Sequence, residues 1–191
     1  MSRRFLLVFL LVLIFTAAAL AGSIEGKVTP GKSVVYVDAI ADKTFAPPTA
    51  KPVIDQKSLV YTPHVLAIQQ GTTVEFLNSD TVQHNVFWTQ MIDNKKVTHN
   101  HGTWAKGQTK PYTFETPGVV SLLCNVHLEM AGFIIVSPTP YFAETDAAGN
   151  FKIESVPDGK YNVVAWHEGA KSQTKPVTVS GVGKVDFTLA Q

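Results

Sequence analysis

The chain has 191 residues, with 16 Lys and Arg against 15 Asp and Glu, which gives a formal net charge of +1. This balance leaves no basic field for nucleic acid, so a nucleic-acid partner is excluded. Apolar residues make up 45% of the chain and charged residues 16%, which excludes a disordered chain. The length allows one domain of ordinary size or two small ones.

The first 21 residues have the pattern of a secretion signal. Arg3 and Arg4 give a positive start, Phe5–Phe15 is an unbroken apolar run, and Ala19-Leu20-Ala21 is the small-x-small pattern that signal peptidase cleaves. An uncleaved membrane anchor is the alternative, but the apolar stretch is at the short limit of about 17 to 25 residues for a span. We therefore predict a 1–21 signal peptide cleaved near Ala21, a periplasmic location and no stable membrane insertion afterwards.

Beyond Gly22 the sequence shows almost no helical periodicity. It consists of short β-branched or aromatic runs separated by Gly, Pro and Asn, which predicts an all-β protein. The predicted strands are 33–37, 65–68, 73–77, 85–88, 112–114, 119–123, 133–136, 151–153, 161–165, 177–179 and 185–189. Asp146–Asn150 is predicted as a hairpin loop, and Pro157–Lys160 as a turn with Gly159 where a positive φ is tolerated.

Two proline-containing stretches predict domain boundaries. Ser137–Pro140 is short, stiff and poor in hydrogen-bond donors, and Ala46–Pro52 contains three prolines. We assign residues 22–51 to a β segment, 52–137 to a first domain and 138–191 to a second.

The residues with metal chemistry concentrate in one short loop. Cys124, His127 and Met130 have the spacing Cys-x-x-His-x-x-Met, so that a thiolate, an imidazole and a thioether can close on one metal. A second imidazole is expected from His84, at the start of an apolar strand that a Greek-key connection can bring beside the loop. Two His, one Cys and a weak axial Met form the ligand set of a trigonal copper site. We predict one copper ion bound by these four residues.

Each ligand taken singly has a plainer interpretation. Cys124, the only cysteine in the chain, could be a buried core thiol, His127 a surface residue and Met130 a gap filler. Their joint occurrence favours the metal, and so does the predicted export, because an unpaired thiol is a liability in an oxidising compartment unless it is buried or metallated.

Pro52–Val136 resembles the cupredoxins, the family of small blue copper proteins. The resemblance rests on the following segments: His84-Asn85-Val86, Tyr112-Thr113-Phe114, Pro117-Gly118, the loop with Cys124, His127 and Met130, and Gly132–Val136. The gap between His127 and Met130 is similar to that of amicyanin and shorter than that of plastocyanin. Val126 stands where the family often has proline, and Leu128 where amicyanin has another proline. We expect a somewhat looser loop in consequence.

This resemblance implies a Greek-key barrel or sandwich with a type 1 copper site at the four ligands. It further implies that Asn85 ties the two ligand loops together by a side-chain hydrogen bond, and that its amide hydrogen reaches the sulfur of Cys124. The redox partner implied is a cytochrome c or a periplasmic dehydrogenase.

The tail resembles a second family. Thr145–Ile153 and Val156–Val163 are similar to the later strands of a carboxypeptidase-regulatory-like, transthyretin-like β-sandwich. These strands alone form half a sandwich, which is marginal as a domain. Ile24–Val28 and Val34–Val37 resemble the opening strands of that family and are not needed by a cupredoxin that begins near Pro52. We therefore predict that they are the missing first strands, so that the copper domain is inserted into the sandwich. The alternative is that residues 24–40 extend the copper barrel.

The remaining histidines have weaker signals. His99 and His101 could hold a second metal, but their polar surroundings favour a solvated loop. His64, which follows a proline, is expected to pack or cap, and His167 is expected to have a structural role.

Three functions compete. One-electron transfer is favoured because the ligand set leaves no open position for a substrate, and Leu128, Ala131 and Gly132 around His127 are predicted to form a weak docking patch. Copper storage or delivery is the alternative, although the chain has only three Met. An enzyme is not expected, because the second Cys and the paired His motifs of the copper enzymes are lacking.

Overall fold

The structure, a computed structural model, describes residues 21–190. The predicted signal peptide, apart from Ala21, lies outside the described residues. The described part contains 17 strands and no helix, so the all-β prediction is confirmed. No helix long and apolar enough to cross a membrane is found among these residues.

The strands follow one another in two groups that the chain interleaves. In chain order they are β1 (Ala21–Thr29), β2 (Val34–Val37), β3 (Val53–Lys57), β4 (Val60–Thr62), β5 (Val65–Gln69), β6 (Thr72–Asn78), β7 (His84–Ile92), β8 (Lys95–Trp104), β9 (Thr109–Phe114), β10 (Gly118–Leu123), β11 (Ala131–Ser137), β12 (Phe142–Glu144), β13 (Asn150–Pro157), β14 (Gly159–Trp166), β15 (Gln173–Val179), β16 (Val182–Lys184) and β17 (Phe187–Thr188).

Strands β3 to β11 form a first sandwich, here called the barrel. One sheet has the order β5-β11-β10-β7-β8 and the other the order β4-β3-β6-β9. Strands β5 and β11 are parallel, as are β3 and β6, while the other neighbours are antiparallel. Burial alternates along β6, where Val74 and Phe76 point inward, because successive side chains of a strand lie on opposite faces.

The remaining strands form a second sandwich. Its two sheets have the orders β13-β1-β16, with β17 also paired to β1, and β12-β2-β14-β15. Every strand that β1 and β2 pair with in the described chain follows residue 137. The first two strands therefore lie in the second sandwich rather than in the barrel, which occupies the chain between β2 and β12.

An apolar interface joins the two sandwiches. Val34, Ile135 and Trp166 form a buried cluster between β2 and β14 on one side and β11 on the other, and the rings of Phe133 and Trp166 lie 5.2 Å apart between centroids. His64 packs across this interface, since its Nε2 lies 2.7 Å from Oε2 of Glu168.

The incoming and outgoing linkers of the barrel lie side by side. The side-chain amide of Gln69 donates to the carbonyl of Ala46 at 2.8 Å, and the backbone N–H of Gln70 donates to the carbonyl of Ser137 at 2.7 Å. The end of β5 thus holds the segment that enters the barrel next to the one that leaves it.

Both predicted turns differ from expectation in detail. Asp146–Asn150 is a turn closed by hydrogen bonds from Gly149 and Asn150 to Asp146, but β12 and β13 belong to different sheets, so it is not a hairpin. Gly159 does not have a positive φ. Its missing side chain instead makes room for the hydroxyl of Tyr161, which lies 2.8 Å from where a Cβ would be.

Candidate metal centre

Three of the four predicted ligands meet at one end of the barrel. His84 begins β7, and Cys124 and His127 lie in the loop between β10 and β11. One donor atom from each residue falls in a group whose members lie within 4.8 Å of one another. The Nδ1 atoms of His84 and His127 are 3.0 Å apart, and the sulfur of Cys124 lies 4.0 Å from the Nδ1 of His127. Two imidazole nitrogens and a thiolate sulfur thus face a common point.

A carboxylate fixes the orientation of His84. The Nε2–H of His84 donates to Oδ2 of Asp80 at 2.8 Å, which leaves Nδ1 of a neutral imidazole with a free lone pair toward the other two ligands. Burial raises the pKa of Asp80, but hydrogen bonds from the backbone of Leu59 and Ser58 and from His84 outweigh it and hold that pKa below its usual value. Asp80 is therefore a carboxylate acceptor. Its spacing of four residues before His84 is visible in the sequence but was not recognised.

The ligand loop is closed by local hydrogen bonds. The backbone N–H of His127 donates to the sulfur of Cys124 at 3.4 Å, and the N–H of Met130 donates to the carbonyl of His127 at 3.1 Å. The first bond orients the sulfur, and the second folds the chain back toward β11. Loop closure in this chain thus does not need the prolines that Val126 and Leu128 replace.

Met130 lies beside this group in the interior. It is 1% exposed and belongs to the same buried cluster as Cys124. Its place in the core agrees with either an axial ligand or a packing residue, and the axial role stays a prediction.

The prediction that the Asn85 side chain ties the two ligand loops together is wrong. Its side-chain amide donates to Oδ1 of Asn100 on β8 at 2.9 Å and makes no hydrogen bond to the loop of Cys124 among the described residues. The sulfur accepts its amide hydrogen from His127 instead of Asn85. The link between the ligand strands comes from Tyr61, whose hydroxyl lies 3.3 Å from the carbonyl oxygen of Asn85 and 3.0 Å from that of Leu123. No local sequence signal identifies Tyr61, because it is distant in the chain from both partners.

Comparison with known families also indicates a copper protein for the part of the chain that forms the barrel. Residues 48–137 match the model of the copper binding proteins of the plastocyanin/azurin family. This match covers 90 of the 191 residues, a little under half of the chain. It agrees with the all-β fold and with the ligand cluster, and it shows that residues 48–137 are similar to the cupredoxins.

The similar proteins match between 38% and 54% of this chain. Plastocyanin from Ulva pertusa is 26% identical over 78 residues, which are 38% of this chain and 80% of that protein. A purple cupredoxin from Nitrosopumilus maritimus is 28% identical with a TM-score of 0.39, covering 46% of this chain and 99% of its own. A reduced amicyanin variant is 21% identical with a TM-score of 0.41, at 54% and 98% coverage. A copper-containing nitrite reductase from Thermus scotoductus is 25% identical with a TM-score of 0.41, and the match covers 52% of this chain but only 25% of that enzyme.

The tail matches a family model other than the predicted one. Residues 136–186 match the model of domain II of polysaccharide lyase family 4. The carboxypeptidase-regulatory-like assignment therefore stays a prediction, while the sandwich architecture of this region is directly visible in its two sheets.

The site formed by His84, Cys124 and His127 fits one type 1 copper ion. Its donors are two nitrogens and one sulfur, a set that suits copper better than hard cations, and they lie within 4.8 Å of one another. His84 and Cys124 are only 1% and 2% exposed, so the centre is enclosed by protein. His84, Cys124 and His127 would hold the metal.

His99 and His101 do not lie in a solvated loop. Both are on β8, and their rings pack against Trp88, with centroids 5.3 and 5.7 Å from it. Burial and the charge of Lys110 lower the pKa of His101. Among the residues described, neither histidine is part of a metal-binding group. Their alternation with exposed residues along β8 is a strand signal that the sequence interpretation missed.

The exposed apolar residues around the ligands are not all those predicted for the docking patch. Leu128 is 84% exposed, as a docking residue should be. Gly132 is buried under Tyr61 and His64 and does not form a contact surface, whereas Ala131 is half-buried, as His127 is. Val82 and Val126, 45% and 55% exposed, lie next to the ligand segments instead. Val82, Val126 and Leu128 are called the apolar patch below.

Proposed function

We propose that the protein is an exported type 1 copper protein that carries single electrons between periplasmic redox partners, and that it is not an enzyme. The observation that supports this best is the unequal exposure of the ligands. His84 and Cys124 are buried, whereas His127 is half-buried between the exposed Val126 and Leu128. The enclosed ligands keep substrates out, while the His127 ring offers a short path to the surface.

The chain contributes a fixed geometry. Copper supplies the one-electron chemistry by alternating between two oxidation states. Asp80 fixes the ring of His84, and the amide of His127 fixes the sulfur of Cys124. Ligands held in this way change little when the charge at their centre changes, so an electron moves with little rearrangement.

The apolar patch supports a brief encounter with another redox protein. Transient redox contacts bury little area and separate quickly, for which a few exposed apolar side chains suffice. A cytochrome c or a dehydrogenase is the partner that we propose, from the amicyanin-like spacing of the ligand loop with Cys124, His127 and Met130. Export is supported by the pattern of residues 1–21, with its positive start, apolar run and Ala19-Leu20-Ala21 site.

Electron self-exchange tests this proposal without a known partner. NMR line broadening in mixtures of the reduced and oxidised copper protein measures the rate at which two copies exchange an electron. Leu128→Lys should slow the exchange about tenfold, because two like charges then meet at the contact and must be desolvated. The blue colour should stay, since Leu128 is not a ligand.

A matched variant and a second measurement separate the alternatives. Val182→Lys makes the same change at a residue 52% exposed on the second sandwich and should leave the exchange rate unchanged. Copper transfer to a Cu(I) chelator is measured on the same samples. If Leu128→Lys slows this transfer but not the self-exchange, copper storage or delivery is favoured and the electron-carrier proposal fails.

A further inference from the structure

The ladder of backbone hydrogen bonds between the two ligand strands stops short of the ligands. The last pair between β7 and β10 is Phe87 with Leu123. His84 and Asn85 on one side and Cys124 on the other therefore continue beyond the paired region. At this end His84 and Asn85 pair only with β8, so the separation between the two ligand strands is not set by hydrogen bonds between β7 and β10.

The Tyr61 hydroxyl lies at this gap. It is 3.0 Å from the carbonyl oxygen of Leu123, the residue before Cys124, and 3.3 Å from that of Asn85, the residue after His84. We propose that Tyr61 is a positioning residue of the metal centre, which holds the His84 and Cys124 strands at their working distance before copper binds.

The surroundings of the Tyr61 hydroxyl favour its hydrogen bonds to the two ligand strands. Tyr61 is 1% exposed, so little water competes for the two carbonyl groups. Burial, with the nearby charge of Cys124, raises the pKa of Tyr61 far above its usual range, and the hydroxyl keeps its hydrogen. That single hydrogen is shared between two acceptors, with Leu123 the closer one.

Two features of the structure place the Tyr61 hydroxyl between the ligand strands. Gly132 leaves room for the ring, and the turn before β4 is held in place. A Cβ on Gly132 would lie 3.1 Å from the carbonyl oxygen of His64, 3.2 Å from the Cβ of Tyr61 and 3.4 Å from its Cδ2, so a larger residue in β11 would press on the Tyr61 ring as well as on the backbone of His64. At the other end, the hairpin turn before β4 is anchored to the centre. The backbone N–H groups of Ser58 and Leu59 donate to the carboxylate of Asp80, at 2.8 and 3.1 Å.

The hairpin of β3 and β4 thus contacts both ligand strands. Through its turn it holds Asp80, which orients His84, and through Tyr61 it holds the backbone beside His84 and Cys124. This inference rests on copper ligation by His84 and Cys124 and is independent of electron transfer.

The test compares two tyrosine variants of the full-length protein. Tyr61→Phe removes the hydroxyl at the centre, and Tyr161→Phe removes one that donates to the carbonyl of Pro157 at 2.8 Å in the second sandwich. The first measurement is the alkylation rate of the Cys124 thiol by iodoacetamide in metal-free protein. The second is the visible and electron paramagnetic resonance spectrum with Cu(II).

We expect Tyr61→Phe to be alkylated about five- to tenfold faster than wild type, which is the factor for one lost hydrogen bond, and to have an altered charge-transfer spectrum. Tyr161→Phe should match wild type in both measurements. Unchanged alkylation and spectrum in Tyr61→Phe would overturn the inference, and so would equal changes in both variants, which indicate general destabilisation.

Gly132→Ala provides a second variant if Tyr61→Phe does not fold. It keeps the hydroxyl but displaces the ring, and the same two measurements should change in the same direction by a smaller factor. No change in either measurement contradicts the positioning role. Wild-type protein that takes up no copper contradicts the copper site itself, whereas wild type that binds copper, with an unaffected Tyr61→Phe, contradicts only the role of Tyr61.

Discussion

The barrel and the second sandwich have similar layers but different interiors. The second sandwich has an apolar core cluster, built on residues such as Ile24, Val35 and Phe187. The polar side chains that it buries are small, namely those of Ser23, Ser33, Thr139 and Thr145. The barrel buries His84, Asn85, Gln56 and Asn78 among its apolar side chains. Of the buried side-chain atoms without a hydrogen-bond partner in residues 21–190, those of Gln56, Asn85, Trp88, His101 and Trp104 lie in the barrel, and that of His167 lies at the interface.

The two sandwiches differ in what their buried residues contribute to stability and to metal binding. An unpaired buried polar group costs roughly 1 to 3 kcal/mol, so the barrel loses stability at the five described residues with such groups, of which Asn85 adjoins the ligand His84. The second sandwich has no such cost in its core and packs against the barrel through Trp166. We infer that the second sandwich supports the barrel, and that the ligands and their hydrogen-bond partners alone determine the copper chemistry.

The largest expected effect comes from removing the sulfur ligand. Cys124→Ala should abolish the blue colour that one equivalent of Cu(II) produces in wild type, because the colour arises from charge transfer between the thiolate and copper. Absorption spectroscopy during a copper titration measures this.

Circular dichroism should show an unchanged fold in Cys124→Ala, since a small side chain replaces a small one. A coloured Cys124→Ala variant, or a wild type that stays colourless at one equivalent of copper, would contradict the site.

A cavity in the second sandwich should be costly to stability but not to the colour. Ile24 is fully buried in β1, and Ile24→Ala should lower the free energy of unfolding by about 2 to 5 kcal/mol. The copper spectrum of the folded protein should be that of wild type, because all the ligands lie in the barrel. Denaturant unfolding and absorption spectroscopy measure the two quantities.

Ile54→Ala makes the same deletion in the barrel, where Ile54 is equally buried. Saturation with copper should raise the melting temperature of this variant more than that of Ile24→Ala, since a ligand stabilises the folded state that binds it. A changed copper spectrum in folded Ile24→Ala would show that the second sandwich tunes the centre.

The smallest expected effect is on the pH dependence of stability. Burial first, and then the charge of Lys110, lower the pKa of His101 in the folded protein. Below the ordinary His pKa of about 6.5, the unfolded chain binds a proton that the folded one does not, so stability falls as the pH drops. Stability stops falling when the pH is low enough for His101 to be protonated in the folded protein as well.

His101→Gln should reduce the slope of the free energy of unfolding against pH by the equivalent of less than one proton, because His101 is only partly buried. Denaturant unfolding of metal-free protein between about pH 7.5 and 5 measures the slope. Equal slopes in wild type and variant would show that His101 does not carry the difference.

The sequence predicted those features that depend on local spacing. The spacing of Cys124, His127 and Met130 defines a loop that can close on a metal, and the position of His84 at a strand start follows from the apolar run behind it. The assignment of residues 24–28 and 34–37 to the sandwich of the tail came from the resemblance of these two segments to the opening strands of that family. In each case a short segment carries the physical information.

The features that the sequence did not predict depend on contacts between distant segments. The direction of Asn85 follows from the partner that β8 offers, and the reach of Tyr61 follows from the space above Gly132. His99 and His101 looked solvated because their neighbours in the chain are polar, while their rings face Trp88 across the sheet. Side-chain direction at such positions is set by the packing of whole strands.

The adjacent linkers held by Gln69 and Gln70 have a consequence for the order of folding. Bringing β1 to β13 in an unfolded chain closes a loop of more than 100 residues, and the length-dependent part of that entropy is about 4 kcal/mol. Once the barrel has folded, Ala46 and Ser137 already lie side by side, and the remaining closure is short. The barrel thus acts as a template on which the two halves of the second sandwich find each other.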